Sequence, residues 1–216
     1  MVTPARLVAL LVLAPAATAL AQAPGLPVIN AGPARGVTVA GMVGFGNQAA
    51  GDATTFGVTG TLGFRRVAVS GFVARAGGTN LSDNAVTSGG GAVAIKLLGG
   101  PLVPVSVNLQ AGAAYLAPGE ATMWRVPVGI GISWTIPQPV VAIKPWVAPR
   151  LDYSRVTAPV AGQPDRATST DTDFGLSGGV TFGFLNGVAL DVAADRVFAG
   201  AGKPTTIGLG LSFNFR

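Results

Sequence analysis

Apolar residues alternate with small or polar residues along most of the chain after residue 36. In the last segment, Ile207, Leu209, Leu211, Phe213 and Phe215 alternate with glycine, serine, asparagine and arginine. Successive side chains of a β-strand point to opposite faces, so this segment presents one apolar face and one small or polar face. A helix would distribute the same residues around its axis. The alternation therefore predicts a strand.

The same alternation recurs upstream, and tight turns alternate with longer polar loops between the segments. An even strand number, with short turns at one end and longer loops at the other, is typical of a transmembrane β-barrel. We therefore predict an all-β protein: a closed, antiparallel, up-and-down transmembrane β-barrel of about ten strands, with eight strands as the alternative. The ten predicted strands are 36–46, 55–64, 67–76, 90–98, 102–116, 122–136, 140–155, 171–184, 187–198 and 205–216. The long connections are 46–54, 77–89, 117–121, 156–170 and 199–204.

The second face of each segment distinguishes a barrel from a soluble β-sandwich, whose strands also have one apolar face. Here that face carries mostly Gly, Ala, Ser and Thr, which suit the interior of a narrow barrel. The apolar face is then predicted to contact lipid, since closure satisfies every backbone hydrogen bond without water. Trp146 departs from the pattern, because its parity points inward. The aromatic residues that we predict at the two membrane interfaces are Tyr115, Trp124, Tyr153 and Phe174 toward the loops, and Phe64, Trp134, Phe182, Phe184, Phe213 and Phe215 toward the short turns.

Charged and amide side chains at inward positions are predicted to line the lumen. The turn at 137–139 places Arg125 roughly opposite Asp152 on neighbouring strands. We interpret these charges as cross-strand pairs, because a charge in a low-dielectric interior needs a partner. Catalysis by paired carboxylates is the alternative. The predicted lumen residues are Lys96, Asn108, Gln110, Arg125, Lys144, Arg150, Asp152, Asp173, Asp191 and Asp195.

Composition excludes several classes of protein. Only 11% of the 216 residues are charged, and 32 Gly and 16 Pro argue against a helix bundle. The net charge is +5, but the basic residues are scattered, so nucleic acid is not expected as a partner. The chain has no Cys and no His, which excludes the usual zinc, haem and iron–sulfur ligands and the Ser-His-Asp and Cys-His nucleophile systems. We expect no cofactor, no metal and no enzymatic activity.

The N-terminus has the pattern of an export signal. Arg6 precedes the apolar stretch 7–14, and Ala19-Leu20-Ala21 provides an A-x-A cleavage site. Residues 1–21 are therefore predicted to be a cleaved secretory signal peptide. Residues 22–35 are predicted to be an irregular lead-in to the barrel domain, 36–216.

The alternating last strand, with Leu209, Leu211, Phe213 and Phe215, resembles the C-terminal sorting signal of small outer-membrane β-barrel proteins of Gram-negative bacteria. The resemblance is to the OmpA/OmpX transmembrane-domain kind and covers residues 36–216, although Arg216 follows the final aromatic residue. It implies an outer-membrane location, lipid as a partner, and recognition of the last strand by the barrel-insertion machinery. Both termini are then expected at the periplasmic side, with five loops outside.

These observations predict a non-enzymatic outer-membrane barrel with a structural or surface-interaction role and a largely filled lumen. A narrow, porin-like passive channel is one alternative, because the lumen charges are mixed. A secreted, soluble β-sandwich that acts as a binding module is another. The sequence does not identify a partner for the extracellular loops.

Overall fold

The computed structural model describes residues 25–30, 32, 35–78, 81–100, 103–160, 165–199 and 202–215, with the backbone alone at 81–84. The predicted signal peptide, 1–21, lies outside these residues. In the part of the chain that is described, no helix is long and apolar enough to cross a membrane.

The described residues form ten antiparallel strands that close into one barrel, in which β1 pairs with both β2 and β10. This confirms the predicted ten-strand up-and-down barrel and excludes the β-sandwich alternative, because all ten described strands belong to one closed sheet. A turn of 3-10 helix, Gln48–Ala50, follows β1. The strands are β1 (Gly36–Gly46), β2 (Thr54–Phe64), β3 (Val67–Gly78), β4 (Leu81–Gly100), β5 (Val103–Leu116), β6 (Thr122–Trp134), β7 (Val141–Pro159), β8 (Arg166–Phe184), β9 (Val188–Val197) and β10 (Thr205–Phe215).

The apolar face of each strand points outward. In β10 the exposed residues alternate with buried ones, so that Leu211 is 60% exposed while its neighbours Gly210 and Ser212 are buried. The same alternation runs through β2, where Phe56 is 63% exposed and Thr55 is fully buried. The polar side of the sheet therefore forms the interior, as the parity of the sequence predicts.

Two predicted loops are partly strand. The predicted loop 77–89 is replaced by β4, which begins at Leu81, and the predicted loop 156–170 is shortened because β7 and β8 pair as far as Pro159 and Arg166. The alternation of apolar residues is lost in these extensions. Residues 166–172 are all exposed, so neither face of the extended hairpin requires apolar side chains. Hydrophobic period therefore underestimates the length of strands that continue beyond the apolar band.

The irregular lead-in lies inside the barrel. Residues 25–30 and 32, here called the lumen segment, form no strand, and its side chains from Leu26 to Asn30 are buried. Gly25 lies beside Thr55, close to the loop end, whereas Gly32 lies beside Asn108, nearer the short-turn end. The described chain therefore starts at the loop end and runs through the lumen to β1. The C-terminal strand ends at the short-turn side, as expected, but the first described residue lies at the opposite end.

Candidate functional site

An ionic network centred on Arg150 occupies the loop-end half of the lumen. Its guanidinium donates two hydrogen bonds to the carboxylate of Asp195, at 2.6 and 3.0 Å, and one from Nε to Oδ2 of Asp152, at 2.9 Å. Arg125 donates to the same Oδ2 at 2.9 Å. Ser177 lies 2.6 Å from both Arg150 and Asp195. Two guanidinium groups and two carboxylates therefore neutralise each other across strands β6 to β9.

Strand register and two glycines make room for this network. The Cα partner of Asp152 on β6 is Pro127, two residues from Arg125, so the long guanidinium side chain reaches diagonally. A Cβ on Gly175 would lie 2.7 Å from Arg150 Cζ, and a Cβ on Gly129 would lie 2.5 Å from Arg150 Cβ. Only glycine at these two positions leaves space for the buried arginine.

The other predicted lumen residues also point inward. Thr181 donates a hydrogen bond to Asp191, its Cα partner on the neighbouring strand. Within the described residues, no group of three or more acidic side chains is placed to hold a metal ion. Of the ten predicted lumen residues, Asn108, Gln110, Lys144, Arg150, Asp152, Asp191 and Asp195 are buried, and Lys96, Arg125 and Asp173 are partly buried.

The lumen segment occupies the space that inward glycines leave. A Cβ on Gly57 would lie 2.5 Å from Leu26 Cδ1, and a Cβ on Gly208 would lie 2.6 Å from Pro27 Cδ. Gly44 and Gly131 contact the segment in the same way, at Gly25 and Asn30 respectively. The inward glycines thus form a seat for the segment. Sequence reasoning assigned them to a narrow lumen and did not connect them with the apolar run in the lead-in.

The wall around the lumen segment is polar although the segment itself is mostly apolar. Thr59 Oγ1, Thr61 Oγ1, Asn108 Nδ2 and Gln110 Oε1 are buried and have no hydrogen-bond partner within the described structure. A cavity of about 10 Å³ beside Arg150 is lined by Gln110, Val28 and Asn30 among others. That volume corresponds to about one water molecule. The segment therefore leaves little room for a solute in this part of the lumen.

Aromatic side chains are placed on the outer surface at both ends of the barrel. At the loop end, the Tyr115 and Trp124 rings lie 5.0 Å apart. At the short-turn end, Phe213 and Phe215 stack edge to face at 4.6 Å. Trp146 points inward and is buried. The predicted interface residues Phe64, Tyr115, Trp124, Trp134, Tyr153, Phe174, Phe184, Phe213 and Phe215 are exposed, and Phe182 is partly exposed.

Solved structures with a similar fold are outer-membrane β-barrels. The β domain of the Bordetella autotransporter BrkA is 11% identical, with a TM-score of 0.51, over 83% of this chain and 98% of that one. The N-terminal β-barrel domain of Pseudomonas aeruginosa OprF is 13% identical, with a TM-score of 0.38, over 84% and 98% of the two chains. The outer membrane enzyme PagL is 12% identical, with a TM-score of 0.42, over 82% and 99%. No known family model matches this sequence, and no curated protein is similar to it in sequence. At these identities, the likeness shows the fold alone.

Proposed function

We propose that the protein is an integral outer-membrane β-barrel whose lumen is closed by its own N-terminal segment, and that its role is structural or surface-interactive rather than enzymatic. Three features support this proposal. They are the outward apolar surface, the ionic network of Arg125, Arg150, Asp152 and Asp195 in the lumen, and the buried lumen segment. The barrel-insertion machinery, acting on the last strand, is the partner that such a protein needs for assembly.

The observation that carries the membrane assignment is the inverted distribution of apolar and polar residues. Val58, Val73 and Leu211 are each about 60% exposed, while Arg150 and Asp195 are buried. A water-soluble monomer rarely exposes contiguous apolar patches larger than a few hundred Å². Lipid around the barrel removes the free-energy cost of exposing these apolar side chains to water. Closure of the barrel leaves no sheet edge without hydrogen bonds in the hydrocarbon region.

The absence of enzymatic activity is supported by the chemistry of the lumen side chains. The chain has neither His nor Cys. Asp152 and Asp195 accept hydrogen bonds from arginines, and Asp191 accepts one from Thr181. Carboxylates in such pairs stabilise the wall of the barrel. A general acid or base would instead need access to a substrate.

Two measurements on the refolded protein test this proposal. Heat-modifiable migration on SDS gels, together with recovery in the membrane fraction, tests whether the chain is a membrane-inserted barrel. Conductance across a planar lipid bilayer then tests closure: the full chain is expected to be silent, whereas a variant lacking residues 22–32 is expected to conduct ions. Steady conductance by the full chain would establish the passive-channel alternative, and recovery in the aqueous phase without detergent would refute the membrane assignment.

Gly208→Val provides a finer test of the seat. A side chain there collides with Pro27 and should displace the lumen segment, so intermittent conductance is expected. Gly60→Val is the matched control, because a Cβ on Gly60 meets no atom within 4 Å. If neither glycine variant conducts ions while the deletion variant does, contacts other than the one between Gly208 and Pro27 hold the lumen segment in place.

A further inference from the structure

The outer wall of the barrel carries an apolar groove across strands β9, β10, β1, β2 and β3. Its volume is about 690 Å³, and its floor is a line of paired residues on adjacent strands. The pairing partners along this line are Leu190, Leu211, Gly41, Val58 and Val73.

A glycine makes the deepest point of this line. A Cβ on Gly41 would meet no atom within 4 Å, so the surface is open between Leu211 and Val58. On the adjacent line toward the loops, Leu209 and Phe56 form the walls. The result is an elongated apolar notch on the face that the proposed function places in lipid.

Arg75 lies at the loop-end rim of the groove, where it is the Cα partner of Phe56. Its side chain is exposed and makes no ion pair or hydrogen bond within the described structure. Arg196, which also faces outward at the loop end, differs because its guanidinium lies over the Phe198 ring at 5.4 Å. Arg75 therefore presents a charge that has no partner among the described residues, beside an apolar surface.

The position of Arg75 along the barrel axis is close to the boundary between the apolar band and the lipid headgroups. Arg75 lies eight residues after Val67, the first residue of β3. At about 3.3 Å per residue and a strand tilt of about 40°, this distance is roughly 20 Å along the barrel axis. The apolar band of a transmembrane barrel is about 25 Å tall. The guanidinium can thus reach the upper boundary of the band while the notch at Gly41 stays within it.

We propose that this groove binds one acyl lipid with an anionic phosphate headgroup, its phosphate on Arg75 and an acyl chain in the notch over Gly41. A guanidinium donates paired, charge-assisted hydrogen bonds to phosphate oxygens, and this contact strengthens where water is scarce. The apolar walls of the groove contact the acyl chain. Any membrane lipid would cover this surface, so the phosphate contact with Arg75 is what distinguishes the bound lipid. This lipid site rests on the proposed function, because it requires that the barrel is inserted in a membrane. It adds that one kind of lipid is preferred and is bound at one position on the barrel.

Native mass spectrometry of the detergent-purified full chain, titrated with phosphatidylglycerol, tests this proposal. The wild-type barrel is expected to retain one lipid. Arg75→Gln should weaken retention about tenfold or more, the loss expected for a charge-assisted hydrogen-bonding pair. Gly41→Leu, which fills the notch, should also weaken it several-fold. Gly60→Leu is the matched control for Gly41→Leu, because Gly60 is also an outward glycine with open space around it. Arg196→Gln is the matched control for Arg75→Gln, because Arg196 also faces outward but lies outside the groove. Both control variants should retain the lipid.

The outcomes separate the site from the membrane assignment. Equal retention by Arg75→Gln and wild type, or equal losses in Gly41→Leu and Gly60→Leu, would overturn the site even if every variant shows the gel shift of a folded barrel. Phosphatidylcholine, whose headgroup has no net charge, should be retained more weakly by wild type. Equal retention of the two lipids would show that the groove does not recognise an anionic headgroup. Failure of the wild-type chain to enter membranes would instead refute the proposed function.

Discussion

Asp195→Asn perturbs the most completely paired charge in the lumen. The substitution keeps the size of the side chain but replaces a carboxylate that accepts two hydrogen bonds from Arg150 and one from Ser177. Arg150 is only 3% exposed, so bulk solvent does not replace the lost acceptor. Breaking one partner of a buried ion pair costs about 3–5 kcal/mol. Because Asp152 still accepts a hydrogen bond from Nε, we expect a loss near the lower value, about 3 kcal/mol.

The free energy of unfolding can be measured by urea titration of the refolded barrel in detergent, with gel migration of unheated samples as the readout. Asp171→Asn is the matched control, because Asp171 is exposed on the β8 extension, and it should change stability by less than about 0.5 kcal/mol. A double-mutant cycle with Arg150→Met isolates the interaction itself. In the Arg150→Met background, Asp195→Asn should cost much less than in wild type. A cost below about 1 kcal/mol in wild type, or equal costs in both backgrounds, would refute the assignment of Arg150 and Asp195 as a stabilising pair.

Two further predictions concern the orientation of the barrel and the buried tryptophan. The protein has no cysteine, so single cysteines can be labelled on intact cells with a membrane-impermeant maleimide. The loop variant Glu120→Cys should react, whereas the short-turn variant Gln138→Cys should react only after permeabilisation. Labelling of Gln138→Cys on intact cells would contradict the placement of the short turns at the periplasmic side. Trp146→Phe should lower the free energy of unfolding by about 1–3 kcal/mol, because the smaller ring leaves a cavity in the buried cluster that contains Ala148 and Ala193. The indole Nε1 has no hydrogen-bond partner among the described residues, so the cost comes from packing alone. An unchanged free energy of unfolding in the same urea titration would show that the indole is not packed in the interior.

The alternation of residues predicted the strands, and the small residues on their second face, with the alternating loop lengths, predicted the barrel. The period of two in β10 sets Leu211 outward and Ser212 inward whatever the neighbouring strands are. The ion pairing of Arg125 with Asp152 also followed from the length of one turn. The exact register did not, since the structure pairs Asp152 with Pro127 and the arginine side chain spans the offset.

The strand extensions could not be predicted from the same signal. The residues of β8 from 166 to 172 are exposed on both faces, so their sequence shows no alternation of apolar and polar residues. What holds them is backbone pairing with β7, which extends to the pair Pro159 and Arg166. Such pairing depends on the direction in which the hairpin leaves the barrel.

The sequence by itself determined the class of architecture, the face of each strand that turns outward, and the set of charges that lie inside. Only the tertiary structure decided what fills the lumen. The run from Leu26 to Ile29 has no period, and Gly44 and Gly208, which contact its beginning, are 164 positions apart in the chain. Their shared surface exists only after β1 and β10 have closed the barrel. The lumen segment has no periodic apolar pattern, and the surface that it packs against forms only when the barrel closes. Its position therefore could not be predicted from any local sequence pattern.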